Sequence, residues 1–330
     1  MDNKRNITKA FMAKIIAFVG FYLCDIFLAR RLGADEYAEW VYFFSYTNIV
    51  LWISNFGISL TLRTEVAMCE DESARKYTIN CGIILRIIIS TVFLFLVLIS
   101  SRTIALFSGW PDQYPELLLL IRAGCLLPLF MSLTDYWKEI FIGSRQMNAL
   151  VGMALFEHIG YAMGCLICIL FINSVKGALV GFYLGYVTAS VAGIIITKTS
   201  FAGFAFSKGT FNTICKLFIK AIPYVAIYIM AFVILEMDTV MIGTFRVENK
   251  ELANYSIAKK IIQKAISINE AFLYSVLPGF AIVKRENYHT SIKKFRKIRN
   301  FKYIYNKYCR NRNCFGSNSC NTIYLWQRIC

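Results

Sequence analysis

Two arginines stand inside apolar runs of this sequence, Arg86 within Cys81–Ser100 and Arg122 within Leu117–Trp137. A guanidinium keeps its charge and grips phosphate oxygens through paired N–H groups, so an arginine at such depth is a candidate anion holder. Each lies about a turn from one end of its run, and snorkelling to the membrane surface is the competing reading. Three lysines join them. Lys259, Lys260 and Lys264 share a broad polar helical face with Gln263, Ser267 and Glu270, while Ile257, Ile261, Ile262, Ala265, Ile268 and Phe272 fill the opposite side. Such a stripe either walls a wet cavity or lies among headgroups, and the cavity wall is preferred. Arg86, Arg122, Lys259, Lys260 and Lys264 are thus the expected binders of a phosphate-bearing group.

An ionisable group at membrane depth costs at least a few kcal/mol, which singles out Lys14, Asp25, Glu157, Asp238 and Glu270 as cavity-lining or ion-coupling candidates. Lys14 and Asp25 fall within about 20° of one helical face, with Phe18 and Phe21 between them, but about 16 Å apart along the axis. They line a seam without pairing; snorkelling of both to opposite surfaces fits as well. Glu157 neighbours His158 in the middle of an apolar run. A buried carboxylate there can hold and release a proton, and a structural hydrogen bond to another helix is the equal alternative. No nucleophile elbow, phosphate loop or His-Glu-x-x-His is found, and the only two histidines are His158 and His289. The chain is expected not to be an enzyme, and no cofactor or metal set is expected.

The elements that position these residues follow from composition. Of 330 residues, 57% are hydrophobic and only 17% charged, with a mean hydropathy of +0.53. Soluble domains carry about 25% charged residues, so a water-facing surface is excluded. A hydrocarbon core about 30 Å thick takes a helix of roughly 20 apolar residues, since lipid offers the backbone no hydrogen-bond partner. Such runs occupy Phe11–Ala29, Ala38–Leu60, Cys81–Ser100, Leu117–Trp137, Ala149–Ile172, Ala178–Thr197, Ala221–Gly243 and Ala253–Phe280. The expected fold class is an all-α integral membrane protein of about eight spans.

Charge sets its orientation. The formal net charge of +16 would suit a nucleic-acid partner, but the basic residues gather at the ends of apolar runs, and nucleic-acid binding is not expected. Placing the N-terminus in the cytoplasm puts Lys and Arg on the inner side by roughly three to one. Lys4, Arg5 and Lys9 precede the first run as in a signal peptide, yet Lys14 interrupts it and no cleavage site follows, so it reads as an uncleaved helix. Of eleven cysteines, Cys24, Cys125, Cys165 and Cys168 fall inside apolar runs as small hydrophobes. Cys309, Cys314, Cys320 and Cys330 match no zinc spacing.

A faint internal echo is visible. Asp25, Arg30 and Glu36-Tyr37-Ala38 near the outer end of the first hairpin reappear as Asp238, Arg246 and Glu251-Leu252-Ala253-Asn254-Tyr255 in the last. The stretch FLARRLGADEYAEWVYFFSY (27–46), then NFGISLTLRTEVA (55–67), DTVMIGTF (238–245), YSIAKKI (255–261) and LPGF (277–280) resembles the polysaccharide flippases of the MATE-like exporter superfamily, the O-antigen or Wzx type. The resemblance spans about residues 7–285 and implies two six-helix lobes around a cavity opened alternately to each side. It also implies an undecaprenyl-diphosphate oligosaccharide as cargo and an ion gradient as driving force. Asp25 and Arg30 match the family's first-helix pattern, and Asp238 matches the corresponding acid of the second lobe.

On that basis residues 1–200 form a six-helix lobe, 201–290 two helices of a second lobe, and 291–330 a basic tail rich in Cys, Asn and Tyr. Such flippases have about twelve spans, and this chain offers eight. The tail beyond about Asn300, rich in Asn, Cys, Tyr, Arg and Lys without helical periodicity, is expected to be disordered or out of frame; TIYLWQRIC (322–330) read one base later can give PFIYGKEF, the kind of sequence that closes the ninth helix of such proteins. The expected function is flipping of a lipid-linked O-antigen unit across the bacterial inner membrane. Polysaccharide polymerase and other assembly proteins are its expected partners, beside the bilayer itself. The alternatives are a membrane polymerase or glycosyltransferase, for which the outer loops are too short, drug or cation antiport, and an inactive remnant.

Overall fold

Apolar runs this long have no way to satisfy their backbone in lipid except as helices, and the computed structural model is helical along them. It describes the backbone of residues 2–172, 174–197 and 209–263, with side chains for all of these except 2–11, 13, 14, 17, 18, 168 and 169. Lys264, Glu270, the remainder of the eighth run and the tail 291–330 lie outside the described residues, as does the side chain of Lys14. No strand occurs among the described residues.

Helix α1 runs Asp2–Asn55 and is kinked at Gly33, whose φ of 74° and ψ of −179° suit glycine alone. That kink separates the first two predicted spans. A second break, at Phe56–Gly57, divides the second span into the end of α1 and α2 (Ile58–Met68). There Gly57 has φ 76°, and a Cβ on it would stand 2.4 Å from the Ala221 carbonyl oxygen. Helix α3 (Glu72–Phe107) is 36 residues long, about 54 Å at 1.5 Å per residue, and so outruns its predicted core at both ends. Asp71 caps it by accepting hydrogen bonds from the Ser73 and Ala74 amides.

The fourth predicted span is bent: α4 (Leu117–Gly124) and α5 (Leu127–Gly143) meet at 45°, with Pro128 in the first turn of α5. Helices α6 (Met147–Ile172) and α7 (Val175–Thr197) follow. Gly160-x-x-x-Gly164 on one and Gly181-x-x-x-Gly185 on the other bring their backbones together. A Cβ at Gly185 would lie 2.1 Å from that of Tyr161. The seventh predicted span is broken at Glu236, which separates α8 (Thr210–Leu235) from α9 (Met237–Thr244). Helix α10 covers residues 249–263.

Among the described residues, α3, α6, α7 and α8 are each long and apolar enough to cross a membrane, and the bent α4–α5 pair is so if its two helices form one span, against the eight spans expected from the whole sequence. The protein is therefore an all-α, multi-pass membrane protein. Its core has two centres. One gathers aromatic rings of α1, α6 and α7, with Trp40, Phe44, Tyr161 and Phe182 in mutual contact and Leu252 of α10 against them. The other joins α2, α3, α5, α6 and α8 around Tyr136, Trp137, Phe141 and Met153. Polar groups lie beside each centre.

Candidate functional site

The first polar group forms where α10 packs on α1 and α9. Lys259 and Lys260 are consecutive, so their side chains leave the helix about 100° apart and reach different neighbours. Lys260 donates to Asp25 of α1 at 2.8 Å and to the Tyr37 hydroxyl at 3.4 Å. Its ammonium also sits 5.8 Å from the Phe21 ring centre and 5.4 Å from that of Tyr37, a cation–π seat. Lys259 donates to Asp238 at 2.5 Å and to the Thr239 hydroxyl at 2.6 Å. The Tyr255 hydroxyl donates to the other oxygen of Asp238.

Glu236, at the break between α8 and α9, completes the group. Its carboxylate accepts from the Asn48 amide at 3.1 Å and stands 4.0 Å from Lys259. Three carboxylates thus face two ammonium groups, and among the described residues the cluster carries one acid more than it has bases. Side-chain exposure is 16% for Lys260 and 10% for Asp25, so the pair is largely shielded from solvent.

The second group fills the seam of α3, α5, α6 and α8. Arg86 is fully buried, and its three guanidinium nitrogens have no hydrogen-bond partner among the described residues. Asp135 and Glu139 of α5 and Tyr228 of α8 are the groups whose fields reach it. Both acids already hold other cations: Glu139 accepts from Arg63 at 2.5 and 2.7 Å, and Asp135 lies 3.3 Å from Lys138. Lys138 in turn meets Glu157 at 2.7 Å, and His158 beside it bonds the Tyr161 hydroxyl at 3.2 Å. Arg63, Arg86 and Lys138 balance Asp135, Glu139 and Glu157.

Residues 4–282 match the family described as polysaccharide biosynthesis protein. The chain belongs to that family. Its fold is similar to that of the eukaryotic MATE transporter AtDTX14, with a TM-score of 0.69 and 12% identity over 85% of this chain and 65% of that one. It is also similar to a multidrug resistance MATE family transporter of the MOP superfamily in an outward-facing conformation, at 0.50 and 16% over 85% and 70%. This polysaccharide biosynthesis protein therefore spans just under two thirds of AtDTX14. No curated protein matches it in sequence. At these identities the likeness to the two transporters is one of fold.

The ten residues picked out from the sequence divide accordingly. Asp25 meets Lys260 and Asp238 meets Lys259. Glu157 stands in the other cluster with Arg86, and both are buried within the helices. Snorkelling therefore does not describe Arg86. Arg122 is exposed, with Nε 3.4 Å from the Ser101 hydroxyl. Lys264 and Glu270, and the side chain of Lys14, lie outside the described residues. Asn48 and Glu236 are not singled out in the sequence, nor are Asp135, inside the fourth apolar run, and Glu139, just past it; Tyr37 is named there only in the internal echo. The one signal for Glu236 is that it is charged and lies inside the run Ala221–Gly243.

Proposed function

We propose that this family member flips a lipid-linked oligosaccharide across the bacterial inner membrane, its cargo an undecaprenyl-diphosphate-borne O-antigen unit. The observation that carries this reading is the pair of shielded lysines, Lys259 and Lys260, set on one helix against carboxylates of α1 and α9. An apolar chain keeps ammonium groups inside only where something anionic meets them. A diphosphate headgroup passing between two lobes is such a partner.

In this reading residues 1–200 form one lobe, 201–290 begin the other, and 291–330 are a tail outside the transport machinery. The N-terminus is cytoplasmic, and a polymerase or other assembly protein takes the cargo on the far side. Lys259, Lys260 and Lys264 hold the headgroup. Arg122 guides it at the surface, and Arg86 joins only when the seam between α5 and α8 opens. Asp25 and Asp238, with the surplus acid Glu236, take the coupling cation; Lys14, Glu157 and Glu270 line the path.

The test is export in cells that depend on this gene for surface polysaccharide. Lys260→Met at normal protein level is expected to leave lipid-linked oligosaccharide on the cytoplasmic face and to lose surface polymer. Undiminished polymer dismisses the reading.

A further inference from the structure

Lys260 cannot hold Asp25 and a diphosphate fully at once, and we infer that cargo binding and the α1–α10 tether are mutually exclusive: the headgroup takes Lys260 from Asp25 and so unlocks the two helices. The inference rests on the flippase reading above and adds to it the order of events.

Lys260 makes the single ion pair between these helices among the described residues, beside one hydrogen bond from the Asn249 amide to Asp35 at 2.9 Å. Its ammonium has three N–H groups. Asp25 takes one at 2.8 Å and Tyr37 faces another at 3.4 Å, over the rings of Phe21 and Tyr37. The aromatic seat holds the ammonium in place whichever anion it serves. A phosphate oxygen that reaches the ammonium competes with Asp25, its one bonded carboxylate, and it brings more charge than one carboxylate to a poorly screened site.

Lys259 makes the contrast. Its partners Asp238 and Thr239 belong to α9, the helix just before its own, and Glu236 stands 4.0 Å away. Loss of that contact leaves α10 attached where it is. The two neighbouring lysines thus have different duties. Lys260 reports cargo by releasing α1, and Lys259 keeps α10 on α9 while that happens.

Asp25 is bonded to Lys260, with Tyr37 beside it and Tyr161 at longer range. Lys260 is the only ion-pair partner of Asp25 among the described residues. That makes the tether reform once cargo leaves.

The experiment uses the full chain in detergent micelles with dicyclohexylcarbodiimide, which condenses a carboxylate and a contacting amine into an amide. The free protein is expected to yield an Asp25–Lys260 cross-link, read as a joined peptide by mass spectrometry. Undecaprenyl diphosphate should suppress it, and undecaprenol, which has the tail without the phosphates, should not. In parallel Asp25→Asn is expected to bind undecaprenyl diphosphate about tenfold more tightly than the wild type, because its competitor for Lys260 is gone. A cross-link that persists in the saturated protein overturns the inference, as does unchanged affinity in Asp25→Asn. If that variant fails to fold, the wild-type cross-link still decides. Failure of the wild type to bind undecaprenyl diphosphate at all sinks the cargo reading and this inference with it, and is told apart from the other outcomes by the binding curve itself.

Discussion

Lys260 Nζ lies 2.8 Å from Asp25 Oδ1 although 235 residues separate them in the chain. A shielded pair of this kind is worth little in itself, since desolvation offsets attraction, but breaking it strands a charge. Lys260→Met is therefore expected to destabilise the protein by about 3 kcal/mol, and Asp25→Asn/Lys260→Met to recover most of that loss. Thermal unfolding of the four proteins in detergent closes the cycle. A double mutant no more stable than Lys260→Met shows that the pair is not coupled.

Two glycines with almost the same φ make an internal comparison. Gly33 at 74° has nothing within 4 Å of an added Cβ, whereas at Gly57, φ 76°, that atom would meet the Ala221 carbonyl oxygen at 2.4 Å and Tyr224 Cβ at 2.8 Å. Gly33→Ala incurs backbone strain alone, about 1–3 kcal/mol. Gly57→Ala adds a collision with the backbone of α8 and is expected to lower the melting temperature clearly further. Equal losses would mean that α8 does not press on the α1–α2 break.

The exposed cap of α3 gives a pH dependence with a definite sign. Hydrogen bonds from the Ser73 hydroxyl and then its amide hold the Asp71 carboxyl below its ordinary value of 3.8. A depressed value in the folded state means that the cap stabilises at pH above the unfolded value and is lost as pH falls through the folded one. Hydrogen exchange of the amides at 73–76 is expected to quicken below about pH 4 in the wild type. In Asp71→Ala it should be fast throughout. Slow exchange in the variant at neutral pH would show that Glu72 and Lys76 secure this turn unaided.

How much of this was legible beforehand depends on the range of the interaction. Spans are written locally, as apolar runs, and as far as residue 263 the described helices stand where those runs do. Their breaks are not, because Phe56–Gly57 and Glu236 each fall inside an apolar run, and the break at Gly57 needs a packing partner such as Ala221 to explain it. The same holds for the site. Asp25, Asp238, Lys259 and Lys260 stand out because each is a charge in an apolar setting. Their pairing is set by how α10 docks on α1, which no spacing along the chain encodes. The echo of Asp25 with Tyr37 in Asp238 with Tyr255 comes closest, since in both an acid and a tyrosine meet around a lysine. Asp135 and Glu139 mark the limit: nothing in their spacing tells that Glu139 pairs with Arg63 of α2 and Asp135 with Lys138.

Arg86 can serve as a binder of phosphate or as one member of a balanced cluster, and the two roles predict different rescues. If it only balances charge, Arg86→Met leaves Asp135, Glu139 and Glu157 facing Arg63 and Lys138, one acid in excess. An uncompensated buried charge costs about 3–5 kcal/mol. Removing the excess in Arg86→Met/Asp135→Asn should then restore both stability and polysaccharide export, because neutrality returns with little change of shape. If Arg86 meets the headgroup, the double variant should recover its melting temperature while export stays low, since no donor replaces the guanidinium. Full burial and the two acids of α5 within its field favour the first outcome for the state described here. Export at wild-type level in the double variant would remove Arg86 from the cargo path, and restored stability without export would place it there.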